Sequence, residues 1–158
     1  MKKAVFALSL LALSLDAAAE WYAGAAAGMT LAGGGSELAR RPAVFARTGT
    51  YLDDYTALEL EAGTAFPCAA LGARAVWHLA NIPEFGRLFG YERFDPFITF
   101  GARGFIGSAA GPSAGCGALY YLGDTWALRF DADWTLALGE AGGAGSLFAL
   151  AFGVQYTF

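Results

Sequence analysis

Beyond its third residue the sequence has no lysine: Lys2 and Lys3 are the only two, against eight arginines and 14 carboxylates. An acidic chain without lysine offers no basic stripe, so nucleic acid is not among its expected partners. Histidine occurs once, as His78, followed by Leu79 and Ala80, so nucleophile–base catalysis lacks the neighbours it needs. Cysteine occurs twice, and the 47 residues between Cys68 and Cys116 fit no zinc-binding spacing. The acid pairs Glu59/Glu61 and Asp131/Asp133 come without an oxygen-rich ligand loop, so no metal site is expected. Nor is there a phosphate loop, because the glycine clusters at 33–35 and 142–145 lack the following Lys-Ser/Thr. These clusters read as outer loops. No cofactor is expected.

Charge is also scarce, at 15% of residues against 56% hydrophobic, with positive mean hydropathy. That balance points to a membrane, where only helices and closed barrels satisfy every backbone hydrogen bond. Two charge-free stretches, 104–123 and 141–158, approach the length of a spanning helix. The first holds six glycines and Pro112, and its Gly/Pro/Ser cluster at 107–115 reads as a loop. The second opens on AGGAG and then alternates.

The basic start, the uncharged run Ala4–Leu15 and Ala17-Ala18-Ala19 before Glu20 predict a secretory signal peptide over residues 1–19. Residues 20–158 then form one domain. Export would place Cys68 and Cys116 in an oxidising compartment, where they could pair near the outer rim.

What is abundant is period-two patterning. Leu58 and Leu60 alternate with Glu59 and Glu61, and Trp77 and Leu79 flank His78. Ile98, Phe100 and Ala102 alternate with Thr99, Gly101 and Arg103. In RFDADW, Arg129, Asp131 and Asp133 interleave with Phe130, Ala132 and Trp134. At the C-terminus Phe148, Leu150, Phe152, Val154, Tyr156 and Phe158 fall on one side. Strict alternation is the strand signature. It predicts eight strands, at about 20–31, 42–52, 55–66, 69–80, 95–107, 115–123, 125–137 and 146–158. Their lengths suit a tilted crossing of a bilayer. The connections at Asp53-Asp54 and Gly123-Asp124 are short, while those after strands 1 and 7 read as longer loops. The stretch 81–94 is long for a turn; Phe85, Leu88 and Phe89 could lie along the membrane boundary, with a helical turn.

The large apolar side is continuous, and the other side is small or charged, which is the inside-out arrangement of a membrane barrel. A narrow eight-stranded lumen accommodates small side chains. Trp21 with Tyr22, Tyr51 with Tyr55, Tyr120 with Tyr121, Trp126, Tyr156 and Phe158 sit near strand ends, as interfacial girdles do. The lumen set is Arg47, Glu59, Glu61, Arg74, His78, Arg103, Arg129, Asp131 and Asp133. Four arginines against four carboxylates can satisfy one another by charge-assisted hydrogen bonds, giving a packed ionic plug.

The opening WYAGAAAGM (21–29), FDPFITFGARGFIG (94–107), GCGALYYLGDTWALRFDADW (115–134) and the terminal VQYTF (154–158) resemble the OmpA-like β-barrel family. The resemblance covers nearly all of 20–158, with 31–50 and 81–93 carrying little of it. It implies an all-β, eight-stranded antiparallel up-and-down transmembrane β-barrel in the outer membrane of a Gram-negative bacterium, termini in the periplasm. No peptidoglycan-binding domain is expected. Phe152, Val154, Tyr156 and Phe158 resemble the terminal signal read by the barrel assembly machinery. The implied partners are that machinery and outer-membrane lipids with lipopolysaccharide, and the implied role is structural or surface-interacting. A narrow channel is the second reading. Some barrels of this size modify lipid A, but the His and Ser two residues apart of the lipid A deacylases are absent here, so an enzyme is not expected.

Overall fold

The computed structural model describes residues 20–33, 39–65, 68–80, 82, 93–107, 109–139 and 144–158. The signal-peptide expectation, most of 81–92 with its helical turn, and the tips of the glycine clusters lie outside them.

Alternating sequence folds here as alternation predicts. Eight strands run β1 Trp21–Gly33, β2 Ala39–Tyr51, β3 Thr56–Ala65, β4 Cys68–His78, β5 Phe94–Phe105, β6 Ala109–Tyr121, β7 Trp126–Gly139 and β8 Ala144–Thr157. Each pairs antiparallel with its neighbour in sequence, and β8 closes on β1, so the sheet is a barrel without edges. Closure removes the unpaired backbone groups that lipid could not satisfy.

Glu20, Phe158 and the connections after β2, β4 and β6 mark one end of the barrel. At this end Asp53 Oδ1 accepts the Tyr55 and Thr56 amides, at 2.8 and 2.7 Å. The Tyr55 bond, followed by that of Thr56, holds the Asp53 carboxyl below its usual range. The opposite end differs from expectation. β1 and β2 extend into the glycine-rich segment, leaving only 34–38 between them, and β7 and β8 leave only 140–143. The connections there are short throughout, and the longest in the molecule, between β4 and β5, lies at the terminal end.

The Gly/Pro/Ser cluster at 107–115 is also not a loop. β6 begins at Ala109, and the turn into it is made at Gly107, with φ of 73°, a left-handed conformation suited to glycine. Pro112 pairs with Ala102 of β5, while on the other side the β6–β7 ladder skips Gly111 and Pro112. Proline cannot donate a backbone hydrogen bond. The strand survives because its β5 pairing runs unbroken from Phe94 to Phe105.

Large apolar side chains cover the outside: Phe152 is 58% exposed, Phe100 53% and Phe130 46%. The buried residues line the lumen. No helix among the described residues is long and apolar enough to cross a membrane.

Candidate functional site

The lumen is where the charges meet. Arg47 of β2, Glu59 and Glu61 of β3, Arg74 of β4, Arg103 of β5, and Arg129, Asp131 and Asp133 of β7 are all buried. Period two points each inward, and the register brings them together. Arg47 is opposite Glu61 across β2–β3, Glu61 is opposite Gly72, and Gly72 is opposite Arg103. Gly72 leaves the space through which Arg103 reaches Glu61, at 2.8 Å.

Each guanidinium bridges at least two carboxylates. Arg47 binds Glu61 at 3.0 Å and Asp131 at 2.8 Å. Arg74 binds Glu59 at 2.7 Å, Asp131 at 3.1 Å and Asp133 at 2.9 Å. Arg103 joins Glu61 to Asp133, the latter at 3.0 Å. Arg129 binds Glu59 at 2.6 Å and Asp131 at 3.1 Å, and donates to Gln155 Oε1 at 2.9 Å. Some partners are neighbours across one ladder, but Arg47 with Asp131, Arg74 with Asp133 and Arg129 with Glu59 join strands that are not adjacent, so the network crosses the lumen as well as lining it. Burying a charge without such a partner is costly, and eight charges tolerate burial only because each is paired.

Aromatic rings support this layer. Arg47 and Arg103 both stand over the Phe45 ring, at 5.6 and 5.4 Å from its centre, and Arg129 stands over Phe97 at 4.8 Å. Toward the terminal end, Tyr22, Val76, Phe97 and Leu119 form a buried cluster with Tyr51 and Tyr121 packed against it. The Tyr22 hydroxyl donates to Glu59 Oε2 at 3.0 Å, tying floor to network. His78 joins this floor, its Nδ1 2.6 Å from Asp95 Oδ2.

All nine lumen residues expected from alternation are therefore inside, His78 apart from the network of the other eight. Alternation also carried a signal for Asp95, which shares the side of Thr99 and Arg103 in FDPFITFGAR, yet Asp95 was missed. Tyr22, Tyr51 and Tyr121 correct the girdle: they point into the lumen, whereas Trp21, Tyr55 and Tyr120 are exposed outside. A tyrosine pair at adjacent positions must split between the two faces. The disulfide expectation also fails. Both thiols are free; Cys68 opens β4, while Cys116 is exposed within β6, paired with Ile98 and Ala132. Phe152, Val154 and Phe158 are exposed on the outside, and Tyr156 stacks between Trp126 and Phe158. Among the described residues no group of three or more His, Cys, Asp or Glu could hold a metal.

No family model and no curated protein matches the sequence. Solved structures do match. Neisserial surface protein A (NspA) aligns over 87% of this chain and 97% of its own, with TM-score 0.60 and 13% identity. The N-terminal β-barrel domain of Pseudomonas aeruginosa OprF aligns over the same shares, with TM-score 0.60 and 15% identity. A structure from de novo design of transmembrane β-barrels covers 91% of this chain and 98% of its own, with TM-score 0.57 and 14% identity. The fold implied by the resemblance to the OmpA-like family is the fold this chain has, a closed eight-stranded antiparallel up-and-down β-barrel.

Proposed function

We propose that this chain is an integral barrel of the bacterial outer membrane, structural or surface-interacting and not an enzyme, whose lumen is closed to ions. The observation that carries the closed lumen is the cross-lumen network of four arginines and four carboxylates resting on an aromatic floor. An ion crossing it would have to break several buried, charge-assisted bonds at once. The apolar outer face supports outer-membrane lipids and lipopolysaccharide as its surroundings. Residues 1–19 would direct export, and the outward row Phe152, Val154, Tyr156 and Phe158 would be read by the barrel assembly machinery.

Planar-bilayer recording tests the closed lumen. Pure folded protein is expected to give no steady conductance. A steady conductance that changes on Arg103→Ala or Arg129→Ala would instead establish a narrow channel through the lumen. Lipid A from cells with and without the protein is expected to have the same mass spectrum.

A further inference from the structure

Of the described strand residues that face outward, from Trp21 of β1 to Tyr156 of β8, Arg40 alone is charged. It is the second residue of β2, faces Leu31 near the end of β1, and is exposed at the end opposite the termini. Trp21 stands at the other end of the same ladder, opposite Thr50. The ten residues from Arg40 to Thr50, on a strand tilted by about 40°, rise about 25 Å, the height of an apolar barrel band. Arg40 therefore stands at one boundary of that band and Trp21 at the other.

The outer surface below Arg40 is apolar and exposed. Val44 and Met29 come first along β2 and β1, followed by Ala46 and Ala27. Larger side chains stand on both sides of these alanines. Ala27 pairs with Phe152 of β8, and Thr48, the next outward residue after Ala46, pairs with Leu60 of β3. A shallow apolar groove thus runs down β1–β2 between two ridges, with a cation at its mouth. That combination is complementary to an amphiphile with an anionic head and a hydrocarbon chain. The guanidinium fork matches phosphate oxygens in geometry as well as charge, and a chain lying in the groove gains dispersion contacts along its length.

We propose that this surface docks one lipid A moiety of lipopolysaccharide, with a phosphate on the Arg40 guanidinium and an acyl chain along the groove below it. The inference rests on the outer-membrane reading above, which puts the end opposite the termini in the leaflet that carries lipopolysaccharide. Position and charge both bear on the choice of lipid. At the boundary of the apolar band, Arg40 is level with headgroups and not with chains. A phosphate monoester such as that of lipid A carries about −1.5 to −2 charge at pH 7, more than the single charge of a phospholipid diester. The inference does not depend on the closed lumen, since a conducting barrel would present the same outer face.

The test is native mass spectrometry of the folded full chain in detergent with lipid A added at a fixed ratio, which reads the lipid retained per barrel. The wild-type chain is expected to bind lipid A about tenfold more tightly than Arg40→Gln, the loss of a hydrogen bond to a charged group. Two control lipids, phosphatidylglycerol and lipid A stripped of both phosphates, are expected to bind the wild-type chain no better than lipid A binds Arg40→Gln. Equal retention of lipid A by the wild-type chain and Arg40→Gln would overturn the proposal. So would retention of either control lipid by the wild-type chain at the level of lipid A. If Arg40→Gln does not fold, the three lipids on the wild-type chain decide alone. A chain that inserts into bilayers but fails these comparisons leaves the outer-membrane reading standing, whereas a chain that does not insert at all sinks both.

Discussion

Arg74 is the side chain on which the network converges, because it alone reaches Glu59, Asp131 and Asp133 together. The value of such a residue lies less in the attraction it adds than in the charges it leaves if removed. A buried ion pair is near break-even against an apolar replacement, but breaking one side strands its partner in a poor solvent. Glu59 would retain Arg129, and Asp131 would retain Arg47 and Arg129, yet Asp133 would keep Arg103 as its one arginine, with a long 3.4 Å bond from the Thr99 hydroxyl. Arg74→Met, which keeps the length and removes the charge, is therefore expected to destabilise the barrel by about 3–5 kcal/mol. Urea unfolding in lipid would read this as a lower midpoint with an unchanged slope, the mark of altered stability without altered compactness. A loss under 1 kcal/mol would show that the stranded carboxylate finds water or another partner.

At the scale of the strand, small residues decide what large ones can do. A Cβ built at Gly117 of β6 would run into the Phe97 ring and the carbonyl oxygen of Phe130. That ring is the one beneath the Arg129 guanidinium. Gly117→Ala should push Phe97 out of place and cost about 1–3 kcal/mol by overpacking. Adding Phe97→Leu should recover part of the loss, and a double-mutant cycle in the same unfolding assay measures the coupling. β6 also marks where sequence reading falls short. Alternation of charged with bulky residues showed the inward face of β3, β5 and β7 clearly, with Arg103 and Asp131 on the side they occupy. In β6 the inward residues are Gly111, Ser113, Gly115 and Gly117, which look like loop composition when taken singly. The space above Gly117 and Gly115 is filled by the Phe97 ring of β5 and the Asp133 carboxylate of β7, from the strands paired on either side. Such contacts lie far apart in sequence and leave no local trace. The same limit hid the tyrosines: Tyr121 differs from Tyr120 only in parity, Tyr51 ends β2 while Tyr55 lies in the turn beyond it, and proximity to a strand end drew them into one girdle.

For the whole molecule the decisive relation is between an apolar exterior and a charged interior, the inverse of a water-soluble protein. Likeness to both natural and designed transmembrane barrels, at 13–15% identity, is a likeness of fold alone. The fold carries no task by itself. It does make a directional claim that a soluble barrel would contradict. Phe152 lies in the middle of β8, between Ala27 of β1 and Phe130 of β7, and is 58% exposed. If the exterior meets lipid, Phe152→Arg puts a guanidinium near the bilayer midplane and should cost about 2–4 kcal/mol. Trp21→Arg, at the terminal end of β1, sits where water and headgroups reach, and should cost at most about 1 kcal/mol. The two variants change the same face of the barrel by the same charge, so depth is the main variable. In a soluble barrel both arginines would meet water, and neither would carry the midplane penalty. Unfolding both variants in bilayers, then in short-chain detergent that adapts around the side chain, gives the comparison. The gap between them should be wide in bilayers and narrow in detergent, and equal costs in bilayers would refute a lipid-facing exterior.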